Sequence, residues 1–149
     1  MNEVIVIVHC SASGFGNAVM VDNWHRQRGW SMIGYHFVIL NGNLTAKKHH
    51  SQFDGTIETG RPLDDDSDLE FDEAGAHALG YNDRSVGICL IGQSGQFTDN
   101  QLRNLRFLTK LLRAQFGKIK IIQHSDVEPL KPYCAGLTKL QMRGLNNTY

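Results

Sequence analysis

Val4-Ile5-Val6-Ile7-Val8-His9 places five consecutive β-branched residues ahead of a histidine near the start of a 149-residue chain. A run of this kind, with no polar alternation, is a strand with apolar cover on both faces, as in the centre of a sheet with helices on either side. Working outward, Ser85–Ile91 reads as a second buried strand and Lys120–Gln123 as another. Tyr35–Leu40 is a strand that stops at the turn dipeptide Asn41-Gly42, and Thr56–Thr59 is a short one ahead of Gly60-Arg61-Pro62. Helical periodicity fills the gaps. Asn17–Arg28 is amphipathic and ends near Gly29. Thr98–Ala114 carries Leu102, Leu105, Leu108, Leu111 and Leu112, with Thr98 and Gln101 at capping-box spacing and Gly117 just beyond. Thr138–Leu145 is a short terminal helix. Strands alternating with helices predict an α/β fold, a single domain over residues 1–149 with a mixed central β-sheet flanked by helices.

Composition narrows the function classes. Lysines plus arginines number 15 and aspartates plus glutamates 15, a balance that gives nucleic acid no basic surface to meet. Three cysteines do not make a disulfide framework, and Cys10 and Cys89 lie in apolar runs as buried free thiols suited to a reducing compartment. No apolar run approaches the roughly 20 residues of a membrane helix. Met1-Asn2-Glu3 lacks a basic leader and Val4–Val8 is too short for a signal-peptide core. The expectation is a monomer made in the cytoplasm without a signal peptide, released by another agent if its substrate lies outside.

Three residues stand where a site is usually built in such a sheet. His9 ends one apolar run, His124 ends Ile121-Ile122-Gln123, and Cys134 follows ten positions later in Pro132-Tyr133-Cys134. Two imidazoles and a thiolate suit Zn²⁺, and three protein ligands leave a corner for water or substrate, the layout of a catalytic site. Seven histidines and three cysteines admit many such sets, so ligand type alone selects none. His9 and His124 as satisfied strand-end residues with Cys134 a buried thiol is the competing reading. Cys10 points to the opposite face from His9 if the strand runs through it.

The surroundings decide between them. Ile7-Val8-His9-Cys10-Ser11-Ala12-Ser13, Gly34-Tyr35-His36-Phe37-Val38-Ile39, Asp54-Gly55-Thr56-Ile57-Glu58-Thr59-Gly60-Arg61, Ala76-His77-Ala78-Leu79-Gly80-Tyr81-Asn82 and His124-Ser125-Asp126-Val127 occur in that order. Together they resemble the zinc-dependent N-acetylmuramoyl-L-alanine amidases, which share a fold with the peptidoglycan recognition proteins, and in particular the short phage-type amidase-lysozymes. The resemblance covers nearly the whole chain. It implies a zinc site of His9, His124 and Cys134, with cysteine where related amidases often carry aspartate. It implies that Tyr35 sits over the metal and stabilises the tetrahedral intermediate or orients the water. It implies a lysine that stabilises the oxyanion, although the family's position two before the third ligand is Pro132 here and Lys131 stands one further back. His77 is implied to line the peptide groove near the metal, with a place supporting a metal ligand as the other option. Arg61 either binds a substrate carboxylate or serves structure. The implied substrate is peptidoglycan or muropeptides, cleaved between the lactyl group of N-acetylmuramic acid and L-alanine. A phage or prophage endolysin is the leading role. A cytoplasmic muropeptide-recycling amidase, a binding module without activity and a closed structural zinc domain are the alternatives.

Strand alternation puts Tyr35, Phe37 and Ile39 on one face and His36 and Val38 on the other, with His36 structural. Leu44–Phe53, with its His49-His50 pair, and Asp64–Glu73, with seven acidic residues in ten, are expected to be solvated loops.

Overall fold

The computed structural model describes residues 3–147. Its main sheet has five strands, β1 (Val4–Cys10), β2 (Phe37–Ile39), β5 (Ile57–Thr59), β6 (Ser85–Leu90) and β7 (Ile119–Gln123), in the order β5-β2-β6-β1-β7. β1 pairs in parallel with both β6 and β7, β2 is parallel to β6, and β5 closes the far edge antiparallel to β2. The mixed sheet and the helices on both its faces are those expected. Two-sided cover explains why β1 and β6 are apolar apart from His9 and Ser85.

One face is built by Val4, Val6 and Val8 of β1 with Val86, Ile88 and Leu90 of β6. Helix α2 (Asp99–Phe116) lays Leu105, Leu108, Leu112 and Phe116 on it, and α3 (Lys139–Asn146) adds Leu145. Each such fully buried side chain contributes about 1.5–3 kcal/mol. α2 begins at the anticipated capping box: Thr98 Oγ1 accepts from Gln101 N, and Gln101 Oε1 accepts from Thr98 N. Gln101 is itself fully buried. Its Nε2 donates to the carbonyls of Ile39 (2.9 Å) and Ile91 (2.8 Å), which ties the start of α2 to the ends of β2 and β6. On the opposite face, α1 (Ala18–Gln27), capped by Asn17, presents Val21 to Ile33, Val38, Leu40, Cys89 and Ile91. His9 and Ile7 alternate with Val6 and Val8 and so face this second side, whereas Cys10 packs on the α2 side.

Three segments depart from the sequence expectation. Leu44–Phe53 is exposed over Ala46–His49 but contains a hairpin, β3 (Asn43–Thr45) with β4 (Lys48–His49), and a 3-10 turn at Ser51–Phe53. Its strands are too polar to show alternation. They are set by Gly42, whose φ of 89° suits glycine, and by Asn43 Oδ1 bonding His49 Nδ1 at 2.7 Å. Asp64–Glu73 ends in a 3-10 turn (Phe71–Glu73) with Glu73 buried, its carboxylate accepting from the Asp64 and Glu70 amides. Finally, β2 starts only at Phe37, and Tyr35 lies ahead of it. Phe37 and Ile39 join the α2-side core while Tyr35 packs with Val38 and Leu40 on the other. The strict alternation expected from Tyr35 onward is broken, which turns the tyrosine toward His9.

Candidate active site

Parallel pairing of β1 with β7 aligns Val8 with Gln123. The next residues, His9 and His124, therefore emerge side by side at the carboxyl ends of adjacent strands, their ring centroids 4.4 Å apart. His124 opens a 3-10 turn (His124–Asp126), after which the chain loops out and returns, pinned where Ser125 N donates to the Cys134 carbonyl at 2.6 Å. That return delivers Cys134, whose Sγ accepts the backbone N–H of Cys10 at 3.1 Å. One ligand atom from each of His9, His124 and Cys134 lies within 4.8 Å of the other two. The geometry thus brings together the three residues that the sequence singles out as ligands.

Tyr35 stacks obliquely between His9 (5.0 Å between centroids) and His25 (5.4 Å). His25 is a buried residue of α1 whose Nδ1 accepts the Gly34 amide at 2.9 Å, so it fixes the backbone just ahead of the tyrosine. In the sequence the one signal for His25 is its spacing four residues after Val21, which puts both on one helix face. His77 is buried behind His9, with Nδ1 2.8 Å from His9 Nε2 and Nε2 3.3 Å from Ser85 Oγ. His36 is buried beside it, bonded to the Glu73 carbonyl through Nε2 and accepting the Gly87 amide on Nδ1. Arg61 spends Nε on the Ile33 carbonyl and Nη1 on the Ala74 carbonyl, bracing the two segments that flank Gly34 and Gly75. Lys131 stands exposed on the loop between His124 and Cys134. Ser85 and Gly87, on the α1-side face of β6, belong to this constellation but carry no spacing that sequence inspection could recognise. A cleft of about 360 Å³ between α2 and α3 includes none of these residues.

Electrostatics follow from burial. Burial above all, then His77 and His124 beside it, holds the His9 imidazole well below its ordinary pKa. His124 is lowered by burial, with Glu128 raising it and the Lys131 cation lowering it. His77 is pushed down to about 3, chiefly by burial. All three rings are neutral, the form that offers a lone pair. The adjacent Cys10 and Cys134 thiols titrate as a pair. The side-chain hydrogen bond between them lowers Cys10 to about 7 against the effect of burial, and the same bond together with burial pushes Cys134 up. Burial first, and the neighbouring thiols second, push the Tyr35 phenol well above its ordinary value, so it remains a hydrogen-bond donor. Two neutral imidazoles and the Cys134 sulfur, which a bound cation would draw into its thiolate form, make a His₂Cys cluster of the kind that holds a metal ion and keeps a position open.

Comparison with known proteins agrees with this geometry. The family described as N-acetylmuramoyl-L-alanine amidase matches residues 3–136. The chain belongs to that family. This amidase is 34% identical over 134 residues to the endolysin of Klebsiella phage KP32, an alignment covering 83% of this chain and 76% of the phage protein. The fold of the N-acetylmuramoyl-L-alanine amidase LysC from Clostridium intestinale URNW superposes with a TM-score of 0.71 at 29% identity, covering 92% of this chain and 78% of that one. A mutant of Drosophila PGRP-LB, solved in complex with tracheal cytotoxin, superposes with a TM-score of 0.63 at 26% identity, covering 91% and 77%. The amidase is a peptidoglycan hydrolase of the phage type, and its substrates are of the peptidoglycan class. No helix among its described residues is long and apolar enough to cross a membrane.

Proposed function

We propose that this amidase is a zinc enzyme acting as a phage or prophage endolysin on the bond between the lactyl group of N-acetylmuramic acid and the first L-alanine of the stem peptide. The observation that carries the metal reading is the convergence of His9, His124 and Cys134 within 4.8 Å beside Tyr35. The donor set fits zinc: borderline-soft nitrogen and sulfur, tetrahedral reach of about 2.0–2.3 Å, and a thiolate steadied by the Cys10 amide. When bound, zinc supplies a Lewis acid and an acidified water. The protein's own groups do the rest. Tyr35, kept protonated, donates a hydrogen bond to the oxygen that gains charge as the amide carbonyl is attacked. Lys131 adds a cation from the rim; a preorganised donor of this kind contributes about 3 kcal/mol. His77, with both nitrogens engaged below His9, serves the site from behind and not as a wall of the peptide groove. Arg61 serves as a brace, its fork turned to backbone carbonyls.

The test is release of free stem peptide from purified muropeptides by wild type and Cys134→Ala, with and without a chelator and added zinc. Release by wild type alone, stopped by chelation and restored by zinc, is the expected result. Release that survives complete removal of metal would overturn the zinc assignment. Lysis of outer-membrane-permeabilised cells on addition of the protein tests the endolysin role.

A further inference from the structure

His77 sits in a slot with no room to spare. A Cβ on Gly87 would fall 2.6 Å from its Cγ and 2.8 Å from its Nδ1, and one on Gly75 would fall 2.5 Å from its Cδ2. Asn82 Oδ1 accepts both the His77 amide (2.8 Å) and the Ala78 amide (2.9 Å), so the backbone on which the ring hangs is fixed as well. A turn that holds one uncharged imidazole this firmly holds it for its hydrogen bonds.

Those bonds have only one consistent direction. Ser85 Oγ lies 2.7 Å from the carbonyl of Tyr81, and a carbonyl can only accept, so the single hydroxyl proton of Ser85 is committed there. Toward His77 Nε2, 3.3 Å away, the same oxygen can then only accept. His77 therefore carries its one proton on Nε2 and offers the lone pair of Nδ1. His9 Nε2, 2.8 Å from that lone pair, must donate. His9 is neutral and has spent its proton, so its Nδ1 is bare. We infer that Tyr81 C=O, Ser85 and His77 form a one-way hydrogen-bond chain that locks His9 as the Nε2–H tautomer, reserving its Nδ1 lone pair for a metal ion. Ser85 and His77 are thus positioning residues of this amidase. The role given to that lone pair rests on the metal reading above; the tautomers themselves do not. Reversing any link would leave two lone pairs or two protons facing each other inside the protein, at a cost of an unmet buried polar pair. Imidazole ligands are commonly oriented by a partner on the second nitrogen. Here the partner is a second imidazole, which could be protonated on either nitrogen, and Ser85 removes that ambiguity.

The experiment is long-range ¹H–¹⁵N NMR of the histidine rings in the zinc-free, full-length protein near pH 7.5, followed by competition for zinc against a chromophoric chelator, for wild type, Ser85→Ala and Ser85→Thr. In wild type, His9 and His77 should both be protonated on Nε2. Ser85→Ala should populate the Nδ1–H form of His77 and weaken zinc binding by roughly 10–100-fold, while Ser85→Thr, which retains the hydroxyl, should recover most of it. His77 protonated on Nδ1 in wild type would overturn the inference whatever the variants do. So would Ser85→Ala binding zinc as tightly as wild type. Wild type that shows the stated tautomers but binds no zinc would support the hydrogen-bond chain and sink the metal reading instead.

Discussion

Gly87→Ala is the sharpest probe of how tightly the site is built. Gly87 is fully enclosed in β6 and its φ is not positive, so alanine suits the backbone and on that ground alone would stabilise by about 0.4–1 kcal/mol. The added methyl, however, meets the His77 ring at 2.6–2.8 Å. The ring would have to retreat by about 0.8 Å to reach ordinary contact, and Gly75 and Asn82 bar the way. Overpacking of this kind costs about 1–3 kcal/mol. A retreat also stretches the 2.8 Å bond to His9 beyond hydrogen-bond range, leaving a buried N–H unmet at about 1–3 kcal/mol. The penalties exceed the backbone gain, and the expected net loss is roughly 2–5 kcal/mol, a fall in Tm of roughly 5–15 °C for a domain of this size. Urea unfolding of the metal-free protein measures it. The double variant Gly87→Ala/His77→Ala should recover much of the loss, since the clash disappears with the ring. A single variant within about 0.5 kcal/mol of wild type would refute the reasoning and show that the ring has slack.

Tyr35→Phe should lower kcat for muropeptide cleavage by roughly 10²–10³-fold with zinc affinity unchanged in chelator competition; loss of metal binding would instead make the tyrosine structural. Acid should unfold the metal-free protein early. His25 is depressed to about 4 and His77 to about 3, burial being the first cause for each. The unfolded chain therefore binds more protons once pH drops below about 6.5, and stability is lost from there toward pH 3. Urea midpoints at pH 7.5 and 5.0 in a Glu70→Gln background, which removes an opposing carboxylate shift, would expose this, and equal midpoints would contradict it. Glu70 is raised to about 8 by Asp66, then Asp64 and Glu73, so wild type loses stability as pH climbs from about 4.5 through 8. Glu70→Gln should be spared that loss, its advantage widening between pH 5 and 8.5 in thermal melts; a constant difference would show that the carboxylates do not interact.

What the sequence discloses is set by how local the cause is. β1 and β6 are legible because continuous β-branched runs have one physical use, and α2 because five leucines and the Thr98–Gln101 box agree. His9, His124 and Cys134 stand at or after the ends of apolar runs, but among seven histidines and three cysteines only the five ordered motifs that resemble the amidase family single them out. The rest depends on non-local packing. Nothing near Tyr35 announces that alternation fails before Phe37; the backbone just ahead of the tyrosine is held by His25 of α1, whose Nδ1 accepts the Gly34 amide. The β3–β4 hairpin is held by polar side-chain bonds, Asn41 Oδ1 to the Asn43 amide and Asn43 Oδ1 to His49 Nδ1, not by an apolar face. His77 looks like a groove residue in one dimension. Its burial is decided by two absent side chains, at Gly75 and Gly87, and a missing Cβ leaves no pattern to find. Glu73 hides in an acidic run because only the fold shows which of seven similar carboxylates turns inward.

The separation of the ligands along the chain has its own consequence. Residues 9 and 134 are 125 positions apart (134 − 9), so an ion shared between them fastens the first strand to the penultimate loop and encloses nearly the entire domain in one ring. Like a long-range covalent cross-link, such a clasp acts mainly on the unfolded chain, whose freedom it would curtail. Because the cluster exists only when β1 and β7 lie together, binding free energy becomes folding free energy, growing with the logarithm of metal over Kd. On the zinc reading proposed above, the metal-free chain would open more easily at both ends at once, and metal supply would set how long the enzyme endures as well as whether it turns over.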